Sequence, residues 1–193
     1  MKLLVIDNYD SFTYNLVYIL RQEHCEVDVF RNDKILPQEC SNYDGIVLSP
    51  GPGIPKHAGN LIQIISQNSS VIPMLGVCLG HQAIAEYLGA KLKKLDRVFH
   101  GRQSNILQTV ARSPLFYGLE DKFRAARYHS WEVAPYHLKT IETTAKTEDG
   151  SIMAIQNLDK QLFGIQFHPE SILSPDGSRI IQNFIGICKS HLK

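Results

Sequence analysis

Apolar and polar positions follow two rhythms along this chain. In its first half, short apolar runs are separated by stretches with apolar residues three and four apart. Lys2–Ile6 reads as a buried strand that ends at Asp7. Ser11 is placed to cap a helix running to about Glu23, with Phe12, Leu16, Ile19 and Leu20 at helical spacing. Glu26–Phe30 alternates as a strand does. Gly45–Leu48 is another apolar strand, and it runs into the breaker-rich Ser49-Pro50-Gly51-Pro52-Gly53-Ile54-Pro55. The pattern then predicts a helix over Leu61–Gln67, a strand over Val71–Val77 and a helix over His81–Leu88. Strand and helix in this repeated order indicate a parallel sheet with helices on both faces.

The second half changes rhythm. Lys91–Leu95, Ser104–Val110, Phe123–Tyr128, Thr140–Thr147, Ser151–Gln156 and Leu162–Phe167 all have strand character, with polar turns between them. Glu148-Asp149-Gly150-Ser151 and Asn157-Leu158-Asp159-Lys160 read as hairpin turns. Ile180, Ile181, Phe184, Ile185 and Cys188 fall at helical spacing and predict a closing amphipathic helix over Gly177–Ser190. The expected architecture is an α/β fold of one domain spanning residues 1–193. Its mostly parallel core is an open sheet flanked by helices, and the second half adds a smaller antiparallel or mixed sheet.

Composition narrows the functional classes. The chain has 193 residues, 44% hydrophobic and 20% charged, with a net charge of +1, which suits a globular protein with a substantial core. That charge gives no reason to expect nucleic acid or a membrane surface as partner. The apolar run at the N-terminus is too short for a signal peptide, and no window approaches a membrane span. The four cysteines, Cys25, Cys40, Cys78 and Cys188, are widely spaced, so a cytoplasmic protein with reduced thiols is expected. No cofactor is expected: the Pro/Gly loop lacks both Gly-x-Gly-x-x-Gly and Gly-Lys-Ser/Thr. Nor is a metal, because a Cys78/His81 pair has no further ligands at metal spacing.

One segment carries chemistry. In Val71-Ile72-Pro73-Met74-Leu75-Gly76-Val77-Cys78-Leu79-Gly80-His81-Gln82, an apolar strand meets a cysteine at the point where a helix begins. This is the layout of a nucleophile elbow, with small residues on either side that let the backbone turn sharply. A thiol at a helix N-terminus feels the positive end of the helix dipole, which favours the nucleophilic thiolate. Such a nucleophile needs a base, and the base needs an orienting group. Far downstream, the strand Leu162–Phe167 ends in His168-Pro169-Glu170. Pro169 takes the chain out of the sheet, and His168 and Glu170, two residues apart, can point to one side. The glutamate can hold one ring nitrogen and leave the other for the thiol. The loop Ser49–Pro55 also follows a strand and can bring backbone N–H groups to the same sheet edge. With the N–H of Leu79 it could form an oxyanion hole. The plainer readings are inert core thiols for Cys25, Cys40 and Cys188, packing or hydrogen bonding at the helix start for His81, and structural or interface roles for His100 and His129; His137 stands apart from these motifs.

Gly76-Val77-Cys78-Leu79-Gly80-His81-Gln82, His168-Pro169-Glu170 and Ser49-Pro50-Gly51-Pro52-Gly53 together resemble the triad-type, class I glutamine amidotransferase domain. Four further stretches narrow the resemblance: Asp7-Asn8-Tyr9-Asp10-Ser11-Phe12-Thr13-Tyr14-Asn15-Leu16, Val98-Phe99-His100-Gly101, Arg127-Tyr128-His129-Ser130 and Glu170-Ser171-Ile172-Leu173. With these the chain is similar, from Lys2 to about Ile187, to the small subunits of anthranilate synthase and aminodeoxychorismate synthase. The resemblance implies a flavodoxin-like sheet and a glutaminase in which Cys78 attacks the amide of glutamine, His168 activates the thiol and protonates ammonia, and Glu170 orients His168. It implies a glutamine pocket including Gly51, Pro52, Gly53, Leu79, Gln82, Ser130 and Trp131, with Ser130 and Trp131 acting largely through their backbone. Trp131 departs from the aliphatic residue common there, which changes packing near the pocket mouth. The implied partner is a large chorismate-binding synthase subunit, in a heterodimer or heterotetramer, that receives the ammonia. The alternatives are a standalone γ-glutamyl hydrolase or peptidase of the same fold, a non-catalytic regulatory subunit, and an amidotransferase of another pathway.

Overall fold

The computed structural model describes residues 1–109, 112–136 and 139–192. Val110, at the end of one expected strand, and His137 lie outside the described residues. The first half forms β1 (Lys2–Asp7), α1 (Thr13–Gln22), β2 (Glu26–Arg31), β3 (Gly45–Leu48), α2 (Leu61–Asn68), β4 (Met74–Val77) and α3 (Leu79–Tyr87). The second half forms β5 (Leu92–Lys94), β6 (Arg102–Gln108), β7 (Lys122–Arg127), β8 (Trp131–Val133), β9 (Glu142–Lys146), β10 (Ile152–Asn157), β11 (Leu162–Ile165) and α4 (Gly177–His191).

Strand order in the main sheet is β2-β1-β3-β4-β11-β10-β9-β6-β7. The first five strands are parallel, in the order that flavodoxin-like sheets share. Both faces of these strands are covered, as their continuous apolar runs require. Leu3, Val5, Val47, Leu75 and Val77 pack into one core with Leu16, Leu20, Ile181 and Phe184 of α1 and α4. Their neighbours Leu4, Ile6, Ile46, Leu48 and Met74 face the other way, onto Ile64, Ile65 and Ile84 of α2 and α3.

The second half supplies the expected small antiparallel sheet as the two-stranded pair β5–β8, and its remaining antiparallel strands are β6, β7, β9 and β10. They continue the main sheet beyond β11. The limb then curls back: β7, last in the order, meets the chain just past β11 through an Ala126–His168 bridge. This closure brings the far edge of the sheet to the ends of the parallel strands.

Four local expectations are corrected. The helix after β1 is capped by Phe12 rather than Ser11, because Asp10 Oδ1 accepts the Phe12 N–H and Asp7 Oδ1 accepts from the Tyr9 and Asp10 N–H groups and the Thr13 hydroxyl. The strand expected from Val71 starts at Met74; Val71 is exposed in a turn, and Pro73 has no N–H to pair. α3 starts at Leu79, not His81, so the turn at Cys78 has no intervening linker. β8 at Trp131–Val133 was not expected. It is three residues long and exists by pairing with β5.

Candidate active site

Because β1, β3, β4 and β11 are parallel, their C-terminal ends lie along one edge. That edge carries Asn8, Ser49, Cys78 and Gln166, each just after its strand. Cys78 has φ +52° and ψ −98°, outside the usual regions for a side-chain-bearing residue. Its N–H still donates to the Ile165 carbonyl at 2.9 Å, so the sheet ladder runs up to Cys78 and α3 leaves directly behind it. Two glycines make this turn possible. A Cβ on Gly76 would lie 2.4 Å from the backbone of Gly80, and one on Gly80 would lie 2.4 Å from the Leu48 carbonyl oxygen. Strand and helix therefore cross at a spacing that no larger residue permits.

The candidate base, His168, lies just past the end of β11. His168 is almost fully buried, and its Nδ1 meets Glu170 Oε1 at 2.6 Å. His168 N–H donates to the Ala126 carbonyl, and Ser174 donates its hydroxyl to the His168 carbonyl, so the backbone here is held from two sides. Burial works against the imidazolium, but the Cys78 and Glu170 side chains more than offset it and raise His168 well above the ordinary histidine range. The Tyr128 ring stands edge-on to His168 at 4.9 Å, and Phe12 does so at 5.9 Å. His168 Nε2 has no hydrogen-bond partner among the described residues, and the Cys78 thiol rests 3.9 Å from the Tyr128 carbonyl oxygen. The geometry is that of a thiol with a carboxylate-held histidine beside it.

A cleft of about 190 Å³ opens over Cys78. Gly51, Pro52, Gly53, Gln82, Ser130 and Trp131, all expected in the pocket, line it together with Val98, Phe99, His100, Tyr128 and His129. Leu79 does not line it. Its side chain packs on Gly51, where a Cβ would lie 2.6 Å from Leu79 Cδ2. What Leu79 can offer the cleft is its N–H, the first amide of α3 and so without an intrahelical acceptor. The Gly51 loop is set by Asn8, which donates from Nδ2 to the Ser49 carbonyl at 2.7 Å while its own N–H donates to Ser49 Oγ at 2.9 Å. Asn32 Nδ2 in turn donates to Asn8 Oδ1 at 3.0 Å.

Several residues with a part in the site carried no chemical signal of their own. Phe12 and Tyr128 enclose His168, and Gln166 accepts from Gln82 Nε2 at 3.1 Å. Phe12 and Tyr128 fall within stretches that carry the family resemblance; Gln166 is marked only by its place two residues before His168. His81 points away from the cleft, beneath β11, where a Cβ on Gly164 would come within 2.8 Å of it. Burial pushes His81 down to about 3, so it is a neutral core residue.

Residues 4–187 match the family model described as class-I glutamine amidotransferase. The chain is 44% identical over 191 residues to the bifunctional protein TrpGD of Thermotoga maritima, covering 96% of this chain but 32% of that longer protein. It is 43% identical over 186 residues to the aminodeoxychorismate/anthranilate synthase component 2 of Bacillus subtilis, covering 95% of each chain. Among solved structures, a Thermoplasma acidophilum protein provisionally described as belonging to GMP synthase superposes with a TM-score of 0.89 at 26% identity. That match covers 100% of this chain and 96% of the other.

Proposed function

The chain belongs to the class I glutamine amidotransferase family, and on that premise we propose that Cys78, His168 and Glu170 hydrolyse glutamine through a cysteine thioester. The thiol proton passes to His168 before attack, so Cys78 Sγ adds to the side-chain amide carbon as a thiolate facing the imidazolium that Glu170 holds. Leu79 N–H and the Gly51–Gly53 loop stabilise the oxyanion. Collapse of the tetrahedral intermediate breaks the C–N bond, and His168 hands its proton to the leaving nitrogen, which departs as ammonia. Water, deprotonated by the same histidine, then attacks the thioester and releases glutamate and the thiol. Glu170 keeps the proton on Nδ1 so that Nε2 faces the sulfur. The observation that carries this reading is the His168–Glu170 contact of 2.6 Å placed at the elbow that presents Cys78.

The protein is the glutaminase component of an anthranilate or aminodeoxychorismate synthase, supplying ammonia, and a large component is its partner. We propose that this large component uses chorismate and that the two assemble as a heterodimer or heterotetramer in the cytoplasm. Gly51, Pro52, Gly53, Gln82, Ser130 and Trp131 then form the glutamine pocket, with Leu79 contributing its N–H. With the large component present, the chain is expected to hydrolyse glutamine. Cys78→Ala is expected to lose at least about 1000-fold in kcat, the scale on which loss of a covalent nucleophile is felt. Retention of activity in that variant would overturn the assignment.

A further inference from the structure

Along the Ser130–Trp131 wall of the cleft runs a chain of contacts in which two side chains, Arg127 and His129, have no part in the proposed chemistry. It starts at Arg127, the largest fully buried side chain among the described residues, at the end of β7. Arg127 Nε donates to His129 Nε2 at 3.0 Å. His129 Nδ1 lies 2.9 Å from the Trp131 carbonyl oxygen, which also accepts from Gln82 Nε2 at 2.8 Å. Phe99 stacks nearly parallel to His129, at 17°, and the Arg127 guanidinium sits over the same Phe99 ring at 3.5 Å from its centroid. The main chain laces these parts together: Phe99 N–H donates to the His129 carbonyl, and Leu95 N–H donates to the Ser130 carbonyl.

The protons in this chain have one consistent arrangement. Arginine Nε can only donate, so His129 Nε2 must accept, and the ring proton must sit on Nδ1. A carbonyl can only accept, so that proton points at Trp131. The opposite tautomer would set two donors against each other at Arg127 and two lone pairs against each other at Trp131. With His129 on one side and Gln82 on the other, both acceptor positions of the Trp131 carbonyl are taken. A buried arginine is a poor choice for packing alone, since a desolvated charge is expensive where an apolar side chain of similar volume is not. Here its Nη2 finds no hydrogen-bond partner among the described residues.

We propose that Arg127 is a positioning residue for glutamine binding: it fixes the His129 tautomer that holds the Trp131 carbonyl, and through it the Ser130–Trp131 wall of the cleft. This rests on the glutaminase reading. Burial first, and the neighbouring Arg127 charge second, push His129 down to about 4, so the imidazole stays neutral and the relay keeps one arrangement near neutral pH.

The test is steady-state glutamine hydrolysis by the full chain with its large component. Removing one buried hydrogen bond to a charged group corresponds to a change on the order of tenfold. Arg127→Met is therefore expected to raise the glutamine KM about tenfold while kcat stays within about twofold. Arg127→Lys, which keeps a donor, should fall between Arg127→Met and wild type. His129→Leu should match Arg127→Met, and the double variant should be no worse than His129→Leu, because the two residues act in series. An unchanged KM in Arg127→Met, or losses that multiply in the double variant, would overturn the proposal. Should Arg127→Met not fold, the comparison passes to His129→Gln, which can still accept and donate at once. It is expected to bind glutamine more tightly than His129→Leu, and equal KM values would overturn the proposal. Wild-type protein that hydrolyses no glutamine would instead refute the underlying function, so the two failures are distinguishable.

Discussion

In the proposed mechanism Glu170 acts on His168 rather than on substrate, and the consequences of its charge can be separated by pH. Glu170→Gln keeps the volume and removes the negative charge beside the imidazolium. His168 is raised from an ordinary value near 6.5 to about 10 in the folded protein. A group raised on folding adds stability that is fully present below its unfolded value and is lost as the pH rises through its folded value. The gap in Tm between wild type and Glu170→Gln is therefore expected to be widest near about pH 6 and to narrow toward about pH 10. A gap that does not change with pH would show that the pair acts by packing alone. Glutaminase kcat should fall in the same variant, by as much as about 10⁴-fold where the wrong tautomer takes over. Cys78, His168 and Glu170 are legible as a candidate set because cysteine, histidine and glutamate at strand ends are the residue types that a nucleophile, a base and an orienting group need. Phe12, Tyr128 and Gln166 were not, because aromatic and amide side chains are common and only their contacts with His168 and Gln82 distinguish them.

At the scale of elements, the turn between β4 and α3 stores backbone strain. A side-chain-bearing residue at φ +52° and ψ −98° is disfavoured by about 1–3 kcal/mol. Alanine at position 78 keeps that strain, and glycine relieves it. Cys78→Gly is thus expected to be more stable than Cys78→Ala by about 1 kcal/mol, net of glycine's greater freedom when unfolded. For a chain of this size that is a Tm higher by about 2–4 °C. A lower Tm for Cys78→Gly would mean that the turn is unstrained. The alternation of apolar runs and helical spacing made the parallel half readable, from β1 to α3. Its errors lie at the ends: Val71 looked like strand until Pro73 is considered, and Ser11 looked like a cap although Asp7 and Asp10 organise that turn. β8 escaped notice because three residues carry no periodicity, and its existence depends on β5.

The whole molecule leaves its chemistry at an open edge. Pro52, Gly53, Val98 and His100 are exposed at the rim of the cleft, and Ile172, two residues past Glu170, is 97% exposed. On the proposed function, an apolar side chain so exposed beside Cys78, His168 and Glu170 fits a surface that the large component covers and orders. Glutaminase activity of the isolated chain is therefore expected to rise at least about tenfold when that component is added, and equal rates would refute the dependence. The amino-acid sequence by itself determined the α/β class, the elbow at Cys78, the His168–Glu170 pair and the Pro/Gly loop, because each depends on residue type and near-neighbour spacing. Tertiary structure alone decided that the antiparallel limb curls until Ala126 meets His168. It also decided that Arg127, His129, Trp131 and Gln82 form one relay at the wall of the cleft. Those partners lie on β7, on α3 and in the chain from β7 into β8, and long-range strand pairing, which local pattern does not encode, brings them together.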